Sequence, residues 1–129
     1  MADRSKQVVI LAVDDTPENL DVVKGALGGD YVIKAAINGM IALKIAQKVP
    51  PELILLDIRM PGMDGFEVMS QLQANETTRR IPVIFLTGES DSEVRTRARD
   101  MGAAGFVTKP IDGATLRQTV ASAFSERGA

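Results

Sequence analysis

The sequence predicts a doubly wound α/β domain: one five-stranded parallel sheet with helices on both faces. Three observations carry this. The stretches "VVILAV" (8–13), "LILLD" (53–57) and "IPVIFLTG" (81–88) are apolar runs rich in branched residues, the mark of strands buried on both faces. Strand and helix signals alternate five times with short connections. No repeat, low-complexity stretch or linker interrupts the 129 residues, a length that suits a single domain with a core over about 7–126. This pattern fits the flavodoxin-like strand order 2-1-3-4-5.

The elements follow in order. After the first strand, "DDTPEN" stops the run. Thr16 is expected to cap the next helix and Pro17 to open it; Leu20, Val23 and Leu27 recur at helical spacing, and Gly28-Gly29 ends it. A second strand covers 31–36. Asn38-Gly39 is read as a turn, and Ile41, Leu43, Ile45 and Ala46 as a helix ending near Val49, before Pro50-Pro51. The strand Leu53–Asp57 comes next, then the turn-rich "MPGMDG" and a helix over 64–74. The fourth strand leads to a polar helix over 91–101. Within "AAGFVTKP" lies a short fifth strand, and a last helix over 112–127 places Leu116, Val120 and Phe124 on one face. Asp64 and Asp91 read as helix caps.

Composition narrows the chemistry. Hydrophobic residues make up 45% of the chain and charged residues 25%, a globular balance. With one Tyr, four Phe and no Trp, the core must be aliphatic. The net charge of −2 offers no basic surface for nucleic acid. Without Cys or His, the usual zinc, haem and thiol sites and the Ser–His–Asp triad lose their residues, so any metal must be held by oxygen: Mg²⁺, Mn²⁺ or Ca²⁺. The polar start "MADRSKQ" does not read as a signal peptide and no apolar run can span a bilayer, which leads us to expect a cytoplasmic protein.

Ligands bind doubly wound sheets at the carboxyl ends of the strands. Strand one ends in Asp14 and Asp15, strand three in Asp57, strand four in Thr87 and strand five in Lys109, followed by Pro110. Three acids crowded together raise one another's pKa unless a cation is near. Lys109 is one candidate, and a hard divalent ion such as Mg²⁺ is another. One lysine could also form a plain structural salt bridge with one aspartate, but it cannot neutralise all three acids.

"VDD", "LLDIRMPGMDG", "LTG" and "GFVTKP" at those strand ends resemble the receiver domain of bacterial two-component response regulators, of which the chemotaxis regulator is the single-domain example. The resemblance implies that Asp57 is the phosphoacceptor, taking a phosphoryl group from a phosphohistidine of a sensor histidine kinase or phosphotransfer protein. It implies Mg²⁺ (or Mn²⁺) bound by Asp15 directly, by Asp14 directly or through water, and by Asp57 and the backbone carbonyl of Arg59. Lys109 would hold a phosphoryl oxygen, through a cis bond to Pro110. Thr87 and Phe106 would form the switch pair, altering helix four, strand five and helix five. Gly62 and Gly65 would let the loop turn beside the site. By the same resemblance the chain is a signalling module and not an enzyme with a separate substrate. Its downstream partner or output domain would meet that altered surface, and a homodimer could form there on phosphorylation.

Arg59 and Glu89 are expected at the rim of the site with opposite charges, paired across the phosphoryl group so as to hinder the hydrolytic water. Three other readings compete. A small Mg²⁺-dependent phosphatase or phosphotransferase with an Asp nucleophile would need a cap that this chain is too short to supply. A flavin module would need a phosphate-binding loop where "DDTPEN" repels phosphate. A docking module without phosphorylation would not need every chemical position filled.

Overall fold

The computed structural model describes residues 7–88 and 92–128, with side chains to residue 125. Asp91 as a cap, Glu89 as a rim residue and the segment 1–6 lie outside the described residues.

Five strands alternate with five helices: β1 (Val9–Val13), α1 (Pro17–Leu27), β2 (Val32–Ala36), α2 (Gly39–Lys48), β3 (Leu53–Asp57), α3 (Gly65–Gln73), β4 (Val83–Thr87), α4 (Ser92–Asp100), β5 (Gly105–Thr108) and α5 (Gly113–Gly128). All strands are parallel, in the order β2-β1-β3-β4-β5. Chain order reverses between β1 and β3, so the carboxyl ends of those two strands flank the natural binding crevice.

The two faces of the sheet sort the apolar residues by strand parity. Leu11, Val13, Ile54, Leu56, Val83 and Phe85 face one way, under α2, α3 and α4. Ile10, Ala12, Leu53, Leu55, Ile84 and Leu86 face the other, under α1 and α5. The central strands β3 and β4 are buried along their whole length, which is why they read as unbroken apolar runs. The edge strand β2 is only half-buried until Ala36.

Two local expectations need correction. Thr16 does occupy the cap position of α1, but its side chain makes no capping bond; its N–H instead donates to Asp14 Oδ1 at 2.9 Å. Asn38 is a true helix cap, accepting from the Ile41 N–H at 2.9 Å, so Asn38-Gly39 starts α2 and does not form a separate turn. Within α2 the buried residues are Gly39, Ala42 and Ala46, while Ile41 is exposed. A Cβ on Gly39 would meet the Val68 side chain at 2.7 Å, so α2 approaches α3 through its small residues.

Candidate functional site

Parallel register brings the chemical residues to one end. Asp57 pairs with Leu86 across β3 and β4, and Thr87 with Thr108 across β4 and β5. One residue further on, the Lys109 N–H donates to the Thr87 carbonyl at 2.8 Å. On the other side of β3, the Asp14 N–H donates to the Ala36 carbonyl at 3.1 Å. Backbone bonds therefore fix the residues from which three of the site's side chains extend.

Those side chains meet. Lys109 Nζ lies 2.8 Å from Asp14 Oδ2 and 3.1 Å from Asp57 Oδ1. Asp14 is fully buried and Asp57 is 3% exposed. The carboxylate of the exposed Asp15 completes a cluster in which oxygens of all three acids lie within 4.8 Å of one another. Two buried acids and one exposed acid, all oxygen donors, suit a hard divalent cation.

Burial pushes the Asp57 carboxyl up to about 6 from 3.8, and the charge of Asp14 adds to this; the bonds from Lys109 and from the Arg59 backbone N–H act against it. For Lys109, burial works to lower the pKa, but hydrogen bonds and charge from Asp14 and Asp57 outweigh it, and the value rises. Lys109 is therefore a fixed positive charge at neutral pH, and Asp57 is an anion held at a cost.

The loop after β3 closes tightly against the site. Gly62 has φ 79°, a conformation that disfavours side chains. Gly65 plays a different part from the one expected of it. It is not left-handed; a Cβ there would sit 2.5 Å from the Asp57 carbonyl oxygen and 2.8 Å from Ile58 Cα. Its N–H donates to the Ile58 carbonyl at 2.7 Å. Asp64 caps α3 in a reciprocal box with Glu67, as its sequence position suggests.

Thr87 is 2% exposed, whereas Phe106 is half-buried, opposite Phe85 in register. The guanidinium of Arg95 on α4 lies 5.9 Å from the Phe106 ring centre and reaches Thr108 Oγ1 at 3.5 Å. Arg97 stacks on Phe66 at 4.1 Å. Arg59, with its side chain exposed, lines a groove with Ile58, Met60, Phe66, Val94 and Arg97. The expected Arg59–Glu89 pair involves Glu89, which lies outside the described residues. The Lys109–Pro110 bond is cis.

The structure thus brings Asp14, Asp15, Asp57 and Lys109 into contact range and sets Thr87 and Phe106 on neighbouring strands. One participant escaped the sequence reading. Asn19, in the first turn of α1, donates its side-chain amide to both oxygens of Asp14, at 3.3 and 3.2 Å. The available signal was an amide five residues after the aspartate, just past a helix-opening proline.

Residues 10–121 match the family described as response regulator receiver domain. The chain is 35% identical to Protein PilH of Pseudomonas aeruginosa over 86% of this chain and 93% of that protein. It is 44% identical to a Vibrio cholerae protein named "Probable cyclic di-GMP phosphodiesterase" and 40% identical to Response regulator PleD of Caulobacter vibrioides, each over 88% of this chain. The chain spans about a quarter of the length of those two relatives. Among solved structures, the chemotaxis protein CheY4 of Vibrio cholerae superposes with a TM-score of 0.85 at 31% identity, covering 90% of this chain and 98% of that one.

Proposed function

The chain belongs to the response regulator receiver domain family, and from that membership we propose that it is a phosphorylation switch with Asp57 as the acceptor. The observation that supports this best is the Lys109 ammonium, shared by two buried carboxylates, Asp14 at the end of β1 and Asp57 at the end of β3. A purely structural salt bridge would need one acid; here the arrangement leaves excess negative charge around a rigid carboxylate.

In the proposed transfer, a lone pair on an Asp57 carboxylate oxygen forms a bond to phosphorus. The bond from phosphorus to the donor imidazole nitrogen breaks, its electron pair stays on that nitrogen, and, because the other ring nitrogen already carries a proton, the donor leaves as neutral imidazole. Lys109 shifts its hydrogen bond from Asp57 to a phosphoryl oxygen while keeping Asp14. The oxygen donors of Asp15 and Asp57, with the Arg59 carbonyl, would hold Mg²⁺ (or Mn²⁺), and the Asp14 carboxylate would add its negative charge beside the ion. Once bound, the ion offsets the charge between carboxylates and phosphoryl oxygens.

Thr87 then turns its hydroxyl to the phosphoryl group, and Phe106 moves into the space released toward Phe85. The Arg95 contacts to Phe106 and Thr108 link that movement to α4. The readout surface is α4, β5 and α5, where a downstream protein, an output domain or a second copy is recognised. The donor is a sensor histidine kinase or phosphotransfer protein.

The test is intact-mass spectrometry after incubation with Mg²⁺ and acetyl phosphate, on wild type beside Asp57→Asn. One added phosphoryl group on wild type alone is the expected result. A folded, Mg²⁺-binding wild type without an adduct, and without beryllium fluoride-induced change at Phe106, would overturn the proposal.

A further inference from the structure

The carboxylate of Asp14 is saturated, and one of its partners is replaceable. Oδ1 accepts from the Thr16 N–H at 2.9 Å and from the Asn19 amide at 3.3 Å. Oδ2 accepts from Lys109 at 2.8 Å and from the same Asn19 amide at 3.2 Å. A carboxylate offers about four lone-pair directions, and four contacts fill them. The group is fully buried, so solvent supplies none of these contacts. Asp15, by contrast, is exposed to solvent.

The three donors differ in kind. The Thr16 N–H is fixed by the backbone where α1 begins, and Lys109 carries a charge. Asn19 is neutral, half-buried, and holds both oxygens through one side chain on the first turn of α1. A lone pair that accepts from an N–H cannot also bind a cation. Asp14 can therefore take a direct ligand role only by releasing Asn19.

We propose that Asn19 is a positioning residue that holds Asp14 back from a divalent cation and thereby sets the affinity of the site for Mg²⁺. The inference rests on the metal-assisted reading above. Asn19 makes the cation depend on Asp15 and Asp57 and keeps Asp14 paired with Lys109, whether or not the cation is bound. Removing the amide frees acceptor capacity on Asp14 and leaves its negative charge less screened.

The experiment is calorimetric titration of Mg²⁺ into wild type, Asn19→Ala, Asn19→Ser, Asp14→Asn and the Asp14→Asn/Asn19→Ala pair, at fixed ionic strength. Alanine is a good helix former, and thermal melts in EDTA check that each variant folds. Asn19→Ala and Asn19→Ser should bind Mg²⁺ about fivefold more tightly, the equivalent of roughly one net hydrogen bond. Water-proton relaxation of the Mn²⁺-loaded protein should report one fewer metal-bound water in Asn19→Ala. In the Asp14→Asn background the Asn19 change should have no effect. Unchanged affinity would overturn the inference. So would weaker binding, the behaviour of an outer-shell residue that supports its ligand. A wild type that binds no Mg²⁺ would sink the metal-assisted reading itself, a different failure from equal affinities in wild type and variant.

Discussion

Replacing Asp57 with Asn should stabilise the folded protein at neutral pH while abolishing its proposed acceptor role. The carboxyl titrates near 6 when folded and near 3.8 otherwise, because burial disfavours its charged form. Between those values the folded state binds more protons than the unfolded one, so this group's contribution to stability is full below about pH 4 and is lost as pH rises through 6. At 1.36 kcal/mol per pH unit, the loss is worth about 3 kcal/mol. The Asp57 side chain is only 5% exposed, so little of this is screened by solvent. Asparagine has nearly the same shape and never ionises. The difference in unfolding free energy between Asp57→Asn and wild type should therefore be near zero at pH 4 and grow to about 3 kcal/mol by pH 8, in urea titrations with EDTA. Taking the difference at each pH cancels the other acids. Millimolar Mg²⁺ should shrink the gap by stabilising wild type. A variant no more stable than wild type at pH 8, or a gap that does not vary with pH, would refute the reasoning.

Lys109→Ala should leave Asp14 and Asp57 facing each other without a cation and cost about 3 kcal/mol, the low end for a broken buried pair since Lys109 is 21% exposed; the same urea titrations should show Mg²⁺ recovering part of that loss. Gly65→Ala should cost about 2 kcal/mol, because the added Cβ meets only backbone atoms, and slow acetyl phosphate labelling at least about tenfold by displacing the loop at Asp57. Gly62→Ala, strained by its φ of 79° but in open space, should cost about 1 kcal/mol and leave labelling near wild type. Arg97→Ala should remove the stack on Phe66, cost up to about 1 kcal/mol, and raise hydrogen exchange in α4 more than in α3.

The strands and the positions of Asp14, Asp57, Thr87 and Lys109 at their ends were legible because burial on both faces leaves a simple trace: unbroken apolar runs, then an abrupt polar residue; the strand order was an expectation from the fold class, since spacing alone does not set it. Parallel register does the rest, since it sets strand ends side by side without further instruction. What escaped depended on helix rotation. Periodicity predicted a helix at α2 through Ile41, Leu43, Ile45 and Ala46 but did not set which face turns inward: Gly39, Ala42 and Ala46 are buried, and Ile41 is exposed. Asn19 escaped for the same reason: its role depends on which way the first turn of α1 faces, and a single amide has no period. The arginine–aromatic contacts of α4 were hidden too, because a polar helix reads as solvated until its neighbours are known.

In helix α4 Ala98 is buried and Val94 half-buried, and Arg95 and Arg97 lie against aromatic rings of its neighbours. Most of its outward sequence can therefore drift without opening a cavity in the core. The acid cluster has no such latitude, since each of its members is tied to a strand end. On the proposed reading, in which α4 belongs to the readout surface, copies of this gene could diverge into separate signalling lines by rewriting α4 while leaving the chemistry intact. Cross-talk between such lines would be corrected at the surface, one charged residue at a time, at almost no cost to folding.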